Sequence, residues 1–294
     1  MNNKDFFEKL AAGKVLVSDG ATGTNLQKWG LPVGAAAEAW VLENPDAIQK
    51  LNRAFIDAGS DILLTCTFGA TRMRLAASNL ADQFIAVNRQ AVKITHEAVG
   101  NADILIGGSI GPTGHMLAPL GTVTEDEAEN DFKEQAQVLI DEGVDIIVIE
   151  TQFDLNEASA AVRGVRSVDG SIPLVCSFSY DRGTRTMMGV KPEDVVNVIG
   201  ALDVDILGIN CGRSLEENFT VLKQLSDLTD KPIWFKPNAG MPKTDEHGMP
   251  AYSVTPEAIG VLVPDWVRIG AGIIGGCCGT SPEHLAAIAM AAHG

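Results

Sequence analysis

The chain has 294 residues, 46% of them hydrophobic, with 30 glycines and 13 prolines, enough for a large core as one α/β barrel or as two smaller domains. Its formal net charge of −16 disfavours nucleic acid and anionic membrane surfaces as partners, and no apolar run reaches the length of a membrane span. Five cysteines, an odd number, argue against a disulfide framework and fit a reduced cytosol; residues 1–13 lack a signal-peptide pattern, so a cytoplasmic location is expected.

One pattern recurs along the chain. A short apolar run ends in a small or polar residue, and an amphipathic helical stretch follows. Residues 1–13 come first, with Phe6, Phe7 and Leu10 on one face. Apolar runs then occupy residues 15–20, 62–68, 104–110, 146–151, 174–179, 206–211, 233–238 and 271–274. Runs without alternation suit strands buried on both faces, hence a parallel sheet. Between them, residues 45–58 carry an Ile48, Leu51, Phe55 and Ile56 stripe stopped by Gly59. Residues 125–142 carry Phe132, Ala136, Leu139 and Ile140, stopped by Gly143. The stretches 155–168, 192–202, 215–228, 256–267 and 282–292 read the same way. Strands alternating with helices over this length predict a closed (β/α)8 TIM barrel. No strand leads into a GxGxxG helix start, which speaks against a doubly wound open sheet. Without a linker or a change of composition, residues 1–294 are expected to form a single domain. The Gly- and Pro-rich segments 22–43, 111–124 and 240–253 all follow strands, so they are expected at the catalytic end of the barrel.

That end gathers the chemistry. The strand ends supply Asp19, Cys66, Glu150, Cys211, Asn238, Cys277 and Cys278. The two adjacent cysteines sit in Gly275-Gly276-Cys277-Cys278-Gly279-Thr280. Neighbouring side chains of a strand point to opposite faces, so both serve one centre only if the glycines let the backbone leave strand geometry. With Cys211, they form a three-thiolate set from two neighbouring strand ends, suited to a soft metal such as zinc with an exchangeable fourth position. Two small core residues, or a vicinal disulfide, are the alternative readings of the pair. A free thiol is mostly protonated at neutral pH, whereas zinc ligation removes its proton. The chemistry expected of such a centre is attack by a substrate thiolate on an electrophilic carbon.

Asp19 and Glu150 are candidates for a substrate ammonium group. The stretch Asp19-Gly20-Ala21-Thr22 also reads as an ordinary turn. Glu150, however, ends an apolar strand, where an unpartnered carboxylate is costly. A glycosidase-like acid/base pair is the other reading of the two acids. Cys66 and Cys176 read as core residues, His115 and His247 as loop residues, and Arg182 and Arg185 as closing a turn.

The motifs DGATGT (19–24), LTCTFGATRMRL (64–75), GSIGPTG (108–114), IETQFDLNEASAA (149–161), NCG (210–212), KPNAGMP (236–242) and GGCCGT (275–280) resemble the homocysteine S-methyltransferase family. The resemblance runs in the family's order from about residue 15 to the end, and is nearest to the homocysteine-binding barrel of cobalamin-dependent methionine synthases. It implies zinc held by Cys211, Cys277 and Cys278, with the homocysteine sulfur as fourth ligand and methionine as product. It also implies that Asp19, Gly20 and Glu150 contact the amino acid, and that Asn238 lies beside the metal, in the open position when substrate is absent. Cys66 departs from the asparagine that many relatives carry. The folate, cobalamin and reactivation modules of the full synthase have no counterpart in the sequence. A separate methyl donor is therefore expected, first a corrinoid protein carrying methylcobalamin. A small sulfonium, ammonium or methoxy donor, or another thiol acceptor, is the alternative. A non-catalytic zinc- or thiol-binding barrel is the competitor from another class.

Overall fold

The computed structural model describes residues 3–244 and 250–294. Among them, eight parallel strands form one sheet: β1 (Leu16–Val17), β2 (Ile62–Leu64), β3 (Leu105–Ile110), β4 (Ile146–Gln152), β5 (Leu174–Phe178), β6 (Ile206–Cys211), β7 (Ile233–Pro237) and β8 (Ala271–Ile274). Each pairs in parallel with its sequence neighbours from β2 to β8, and β8 pairs with β1 through Leu16↔Ile273 and Val17↔Ile274. The remaining seam closes through a parallel bridge between Ser18 and Ile62, with Asp19 N donating to Ile62 O at 3.0 Å and Asp61 N to Val17 O at 2.7 Å. The result is the expected (β/α)8 TIM barrel.

The absence of alternation in the strands has its cause in two separate cores. Leu16, Ile62, Leu64, Leu105, Ile146, Val148, Val175, Ile206, Trp234 and Ile273 fill the barrel interior, and Phe6 of the helix Asn3–Ala11 joins them. The alternate residues, among them Val17, Leu63, Ile106, Ile147, Leu207 and Phe235, pack outward against the helices. Both faces are therefore dehydrated, and each strand needs apolar side chains on both.

The predicted helices form, over Pro45–Asp57, Glu125–Asp141, Leu155–Val168, Pro192–Val198, Leu215–Leu228, Pro256–Ile269 and Pro282–His293. The sixth stretch runs two residues further than expected, and the fourth stops four residues short. One long helix escapes the stripe reading, Phe84–Val99. It buries Asn88 and Thr95 along with its apolar residues, so polar positions interrupt the stripe. Asn88 Nδ2 reaches Ala70 O and Phe84 O, both at 2.9 Å, and Thr95 Oγ1 reaches Ala91 O. These bonds make the burial tolerable.

The loops leaving the strand C-termini end in helix caps that fix their length. The Thr124, Asp154, Ser214 and Thr255 side chains accept from backbone N–H groups of the following first turn. Segment 22–43 contains two short helices, Gly23–Lys28 and Ala39–Glu43, and a small antiparallel ribbon pairs Lys243–Thr244 with Pro250–Ala251. Both features lie within segments read as loops, as does the Arg182–Arg185 turn, which closes through mutual backbone bonds.

Candidate metal centre and substrate pocket

Cys211 is the last residue of β6, and Cys277 and Cys278 follow β8. These strands are not adjacent, contrary to the expectation from sequence. They flank β7, so the cysteines meet across the end of a strand that stops at Pro237. Two strand spacings separate the backbones by about 9–10 Å, so the side chains reach each other only by leaning over Pro237. Two local departures from strand geometry achieve this. Cys211 has φ +60°, in the left-handed region, which turns its side chain away from the pleat. After β8 the chain turns sharply, with Cys277 N donating to Pro237 O (2.9 Å), Thr280 N to Cys277 O (3.1 Å) and Ala239 N to Cys278 O (2.9 Å). Gly279 ends the turn at φ +84°, and a side chain there would collide with the Tyr252 ring. Only glycine meets both conditions.

The three Sγ atoms lie within 4.8 Å of one another. Cys211 and Cys277 Sγ are 3.0 Å apart, and all five cysteines are free thiols. Neither a vicinal disulfide nor a pair of inert core residues describes them. Hydrogen bonds from the Cys211 and Cys277 thiols push Cys278 down to about 3. Bonds to Cys277 and Cys278, with burial, hold Cys211 well above its ordinary value. For Cys277 the bond with Cys211 lowers the value, but the bond to Cys278 and burial outweigh it, to about 12. The cluster thus sheds one proton readily and resists losing the other two. Three thiolates here need a cation. Thiolates at about 2.3 Å from a tetrahedral zinc stand about 3.8 Å from each other, within the span that the sulfurs already occupy. The donor set fits zinc.

Beside the thiols lies a cavity of about 760 Å³, lined by Asp19, Gly20, Glu150, Lys236, Tyr252 and the three cysteines, among others. Glu150 is buried, and Ser109 Oγ donates to its Oε1 at 2.5 Å. Burial pushes its carboxyl up to about 7, against the pull of Lys236 and the Ser109 hydrogen bond. Asp19 is buried with both oxygens engaged. Oδ1 accepts from Lys236 Nζ at 2.6 Å and from Ser18 Oγ at 3.3 Å, and Oδ2 accepts from Leu64 N at 2.9 Å. Burial would lower Lys236, but the charges of Asp19 and Glu150 outweigh it and hold the ammonium above its ordinary value. Its Nζ also stands 5.5 Å from the centre of the Trp234 ring, a favourable cation–π arrangement.

Asn238 stands behind this lining. Its N donates to Cys211 O at 3.2 Å and its Nδ2 to Gly212 O at 2.8 Å. Its Oδ1 is buried without a hydrogen-bond partner, a free acceptor oxygen next to the Cys211 turn. The amide that reaches sulfur is instead that of Asn210, with Nδ2 at 3.4 Å from Cys211 Sγ and 3.9 Å from Cys277 Sγ. Cys66 lines the cavity from within the core, where burial raises its thiol far above its ordinary value. Cys176 is fully buried in β5, His115 lies in the exposed loop after β3, and His247 lies outside the described residues.

Sequence reasoning missed Lys236, Ser109, Asn210 and Tyr252. The signal for Lys236 was present, since a lysine inside an apolar strand is as costly as the carboxylate of Glu150. Tyr252 had none, because its place against Gly279 depends on the path of the loop.

Residues 16–292 match the family model described as homocysteine S-methyltransferase. The chain belongs to the homocysteine S-methyltransferase family. It is 28% identical over 303 aligned positions to a methionine synthase of Mycobacterium leprae, covering 98% of this chain and 25% of that protein. The chain thus spans a quarter of the length of this relative. Its fold superposes on the Escherichia coli homocysteine methyltransferase MmuM in its metallated form, with a TM-score of 0.75 and 26% identity over 94% of this chain and 96% of that one. The oxidized form of MmuM gives a TM-score of 0.74 at 26% identity, covering 93% and 94%. No helix among the described residues is long and apolar enough to cross a membrane.

Proposed function

We propose that this enzyme methylates homocysteine to methionine, with Cys211, Cys277 and Cys278 holding a zinc ion that binds the acceptor sulfur. The observation that carries the reading is the convergence of three thiols on one wall of a cavity that also holds Glu150, Asp19 and Lys236. When bound, zinc supplies the positive charge that keeps an acceptor thiol deprotonated yet nucleophilic at neutral pH. Asn238 Oδ1, buried without a hydrogen-bond partner beside the Cys211 turn, would be the residue available to the open position of a bound zinc when substrate is absent.

The chain's own residues do the rest. Glu150 keeps one oxygen on Ser109 and offers the other to the ammonium of the amino acid. An arriving cation favours the charged carboxylate, so binding drives a proton off Glu150. Gly20 lines the same cavity, and a side chain there would press on the Phe55 ring behind it. Asp19 contributes through its remaining lone pair and holds Lys236 in place. As the sulfur–methyl bond forms, the bond from methyl to donor breaks and the donor leaves with the electron pair.

By likeness to methionine synthase, the methyl donor is a methylated corrinoid. One observation favours a second reading, a small sulfonium or ammonium donor. A neighbouring cavity of about 410 Å³ shares Phe68, Arg74 and Thr151 with the first and is lined by Phe153, Met116 and Met187. Homocysteine supplied to the zinc-loaded enzyme with each donor class, read by mass spectrometry for methionine, tests both. Methionine from neither donor class, with zinc bound, refutes the methyltransferase reading and favours a non-catalytic thiol-binding barrel.

A further inference from the structure

The side chain of Asn210 makes more contacts at the mouth than its neighbours do, and no part of the proposed reaction accounts for them. It is fully buried. Its Oδ1 accepts from Thr151 N at 2.8 Å and from Ser177 Oγ at 2.7 Å. Its Nδ2 donates to Thr151 Oγ1 at 2.6 Å and lies 3.4 Å from Cys211 Sγ. One amide therefore links the ends of β4, β5 and β6. Its orientation is fixed. The backbone N–H of Thr151 can only donate, so it must face Oδ1, and the NH₂ group is left to face Thr151 Oγ1 and the sulfurs.

The two residues it joins are both strained. Thr151 and Cys211 have φ values of +61° and +60°. That region is uncommon for any side chain and an outlier for a β-branched one. Such a conformation persists only where its surroundings over-determine it. Here the surroundings are the Asn210 amide, bonded to Thr151 at two points and adjacent to Cys211 in sequence. In a regular strand Asn210 and Cys211 point to opposite faces. The left-handed turn at Cys211 brings its sulfur back over the barrel mouth, within reach of Asn210 Nδ2.

We propose that Asn210 is a positioning residue for the thiol centre. It locks Cys211 in its ligating orientation and donates an N–H to the sulfur, offsetting part of the charge that three thiolates accumulate. The proposal rests on the metal reading above, but the two fail separately. Residues that orient metal ligands from behind contribute about 10–100-fold to metal affinity.

The test compares wild-type protein with N210D and N210A by zinc competition against a chromophoric chelator, and by the sulfur-to-cobalt charge-transfer band of Co(II)-loaded protein. Asp is isosteric and keeps both acceptor contacts, but turns an oxygen towards the sulfur. Ala removes the amide without adding charge. Both variants are expected to bind zinc at least 10-fold more weakly and to move the charge-transfer band to lower energy, because the sulfur regains electron density. A strap that only holds strands would lower the melting temperature without moving the band. Zinc affinity within threefold of wild type and an unmoved band, in whichever variant folds, overturns the proposal. A wild-type protein that takes up no stoichiometric zinc overturns the metal reading itself, before any variant is compared.

Discussion

Replacing Lys236 by methionine tests how the acidic side of the pocket is held together. Lys236 Nζ and Asp19 Oδ1 are 2.6 Å apart, and both side chains are 3% exposed. Methionine matches the lysine stem and keeps the packing on Trp234, so the variant removes the charge alone. It leaves the Asp19 carboxylate buried with only Leu64 N and Ser18 Oγ as donors. Removing one partner of a buried pair costs about 3–5 kcal/mol. The two remaining donors place K236M near the lower end, about 3 kcal/mol, which lowers the melting temperature by about 6–12 °C for a domain of this size. In D19N the amide oxygen still accepts from Leu64 N, while Lys236 loses its counter-ion. The double variant D19N/K236M carries no unpaired charge and recovers at least 2 kcal/mol relative to the sum of the singles. Urea denaturation of the metal-free proteins, arranged as a double-mutant cycle, reads the coupling directly. A K236M cost below 1 kcal/mol, or additive single variants, would refute the claim that Lys236 neutralises Asp19.

Three further outcomes follow from the site. C211S, C277S and C278S are each expected to lose stoichiometric zinc by elemental analysis while folding normally, because the thiols lie at the mouth and outside the two apolar cores. For metal-free protein, burial raises Glu150 from 4.5 to about 7. The folded state then binds more protons than the unfolded one between those values, and stability falls as pH rises through that window. E150Q removes the penalty, up to about 3 kcal/mol above pH 7, and urea titrations at pH 5 and pH 8 show whether the wild-type deficit develops between them. By isothermal titration calorimetry, E150Q should weaken homocysteine binding to the zinc-loaded enzyme by about 2–5 kcal/mol. A simple thiol without an ammonium group should bind both proteins alike, whereas equal losses for both thiols would assign Glu150 to the metal centre.

The architecture was legible because barrel strands are buried on both faces, and eight unalternating runs leave that mark in the sequence. The Phe84–Val99 helix was not, because Asn88 and Thr95 occupy core positions through bonds to main-chain carbonyls that no periodicity records. At the site, the cysteines and Glu150 could be read from their places at strand ends. The route by which the cysteines meet could not, since it depends on a left-handed Cys211 over the end of β7. The partner of Asp19 was hidden in the same way: Asp19 and Lys236 are 217 positions apart, and only barrel closure joins them.

The strand order explains why the pocket carries both a soft and a hard side. Lys236 lies on β7 between the two cysteine-bearing strands, with its ammonium turned into the barrel towards Asp19 beyond β1. The thiols lean over the outer end of the same strand, one residue past Lys236, at Pro237. A single strand therefore separates a sulfur cluster, which needs a cation to ionise fully, from a buried ion pair already in balance. Because Lys236 compensates Asp19 internally, Glu150 is left as the carboxylate whose charge is unsettled at neutral pH. On the proposed function, a substrate bearing both a thiol and an ammonium completes both sides at once, with sulfur on the thiol wall and its cation on Glu150. A thiol alone satisfies one side and leaves the other as it was. On the proposed function, selectivity for an amino-acid thiol resides in Glu150 and reactivity in the cysteines.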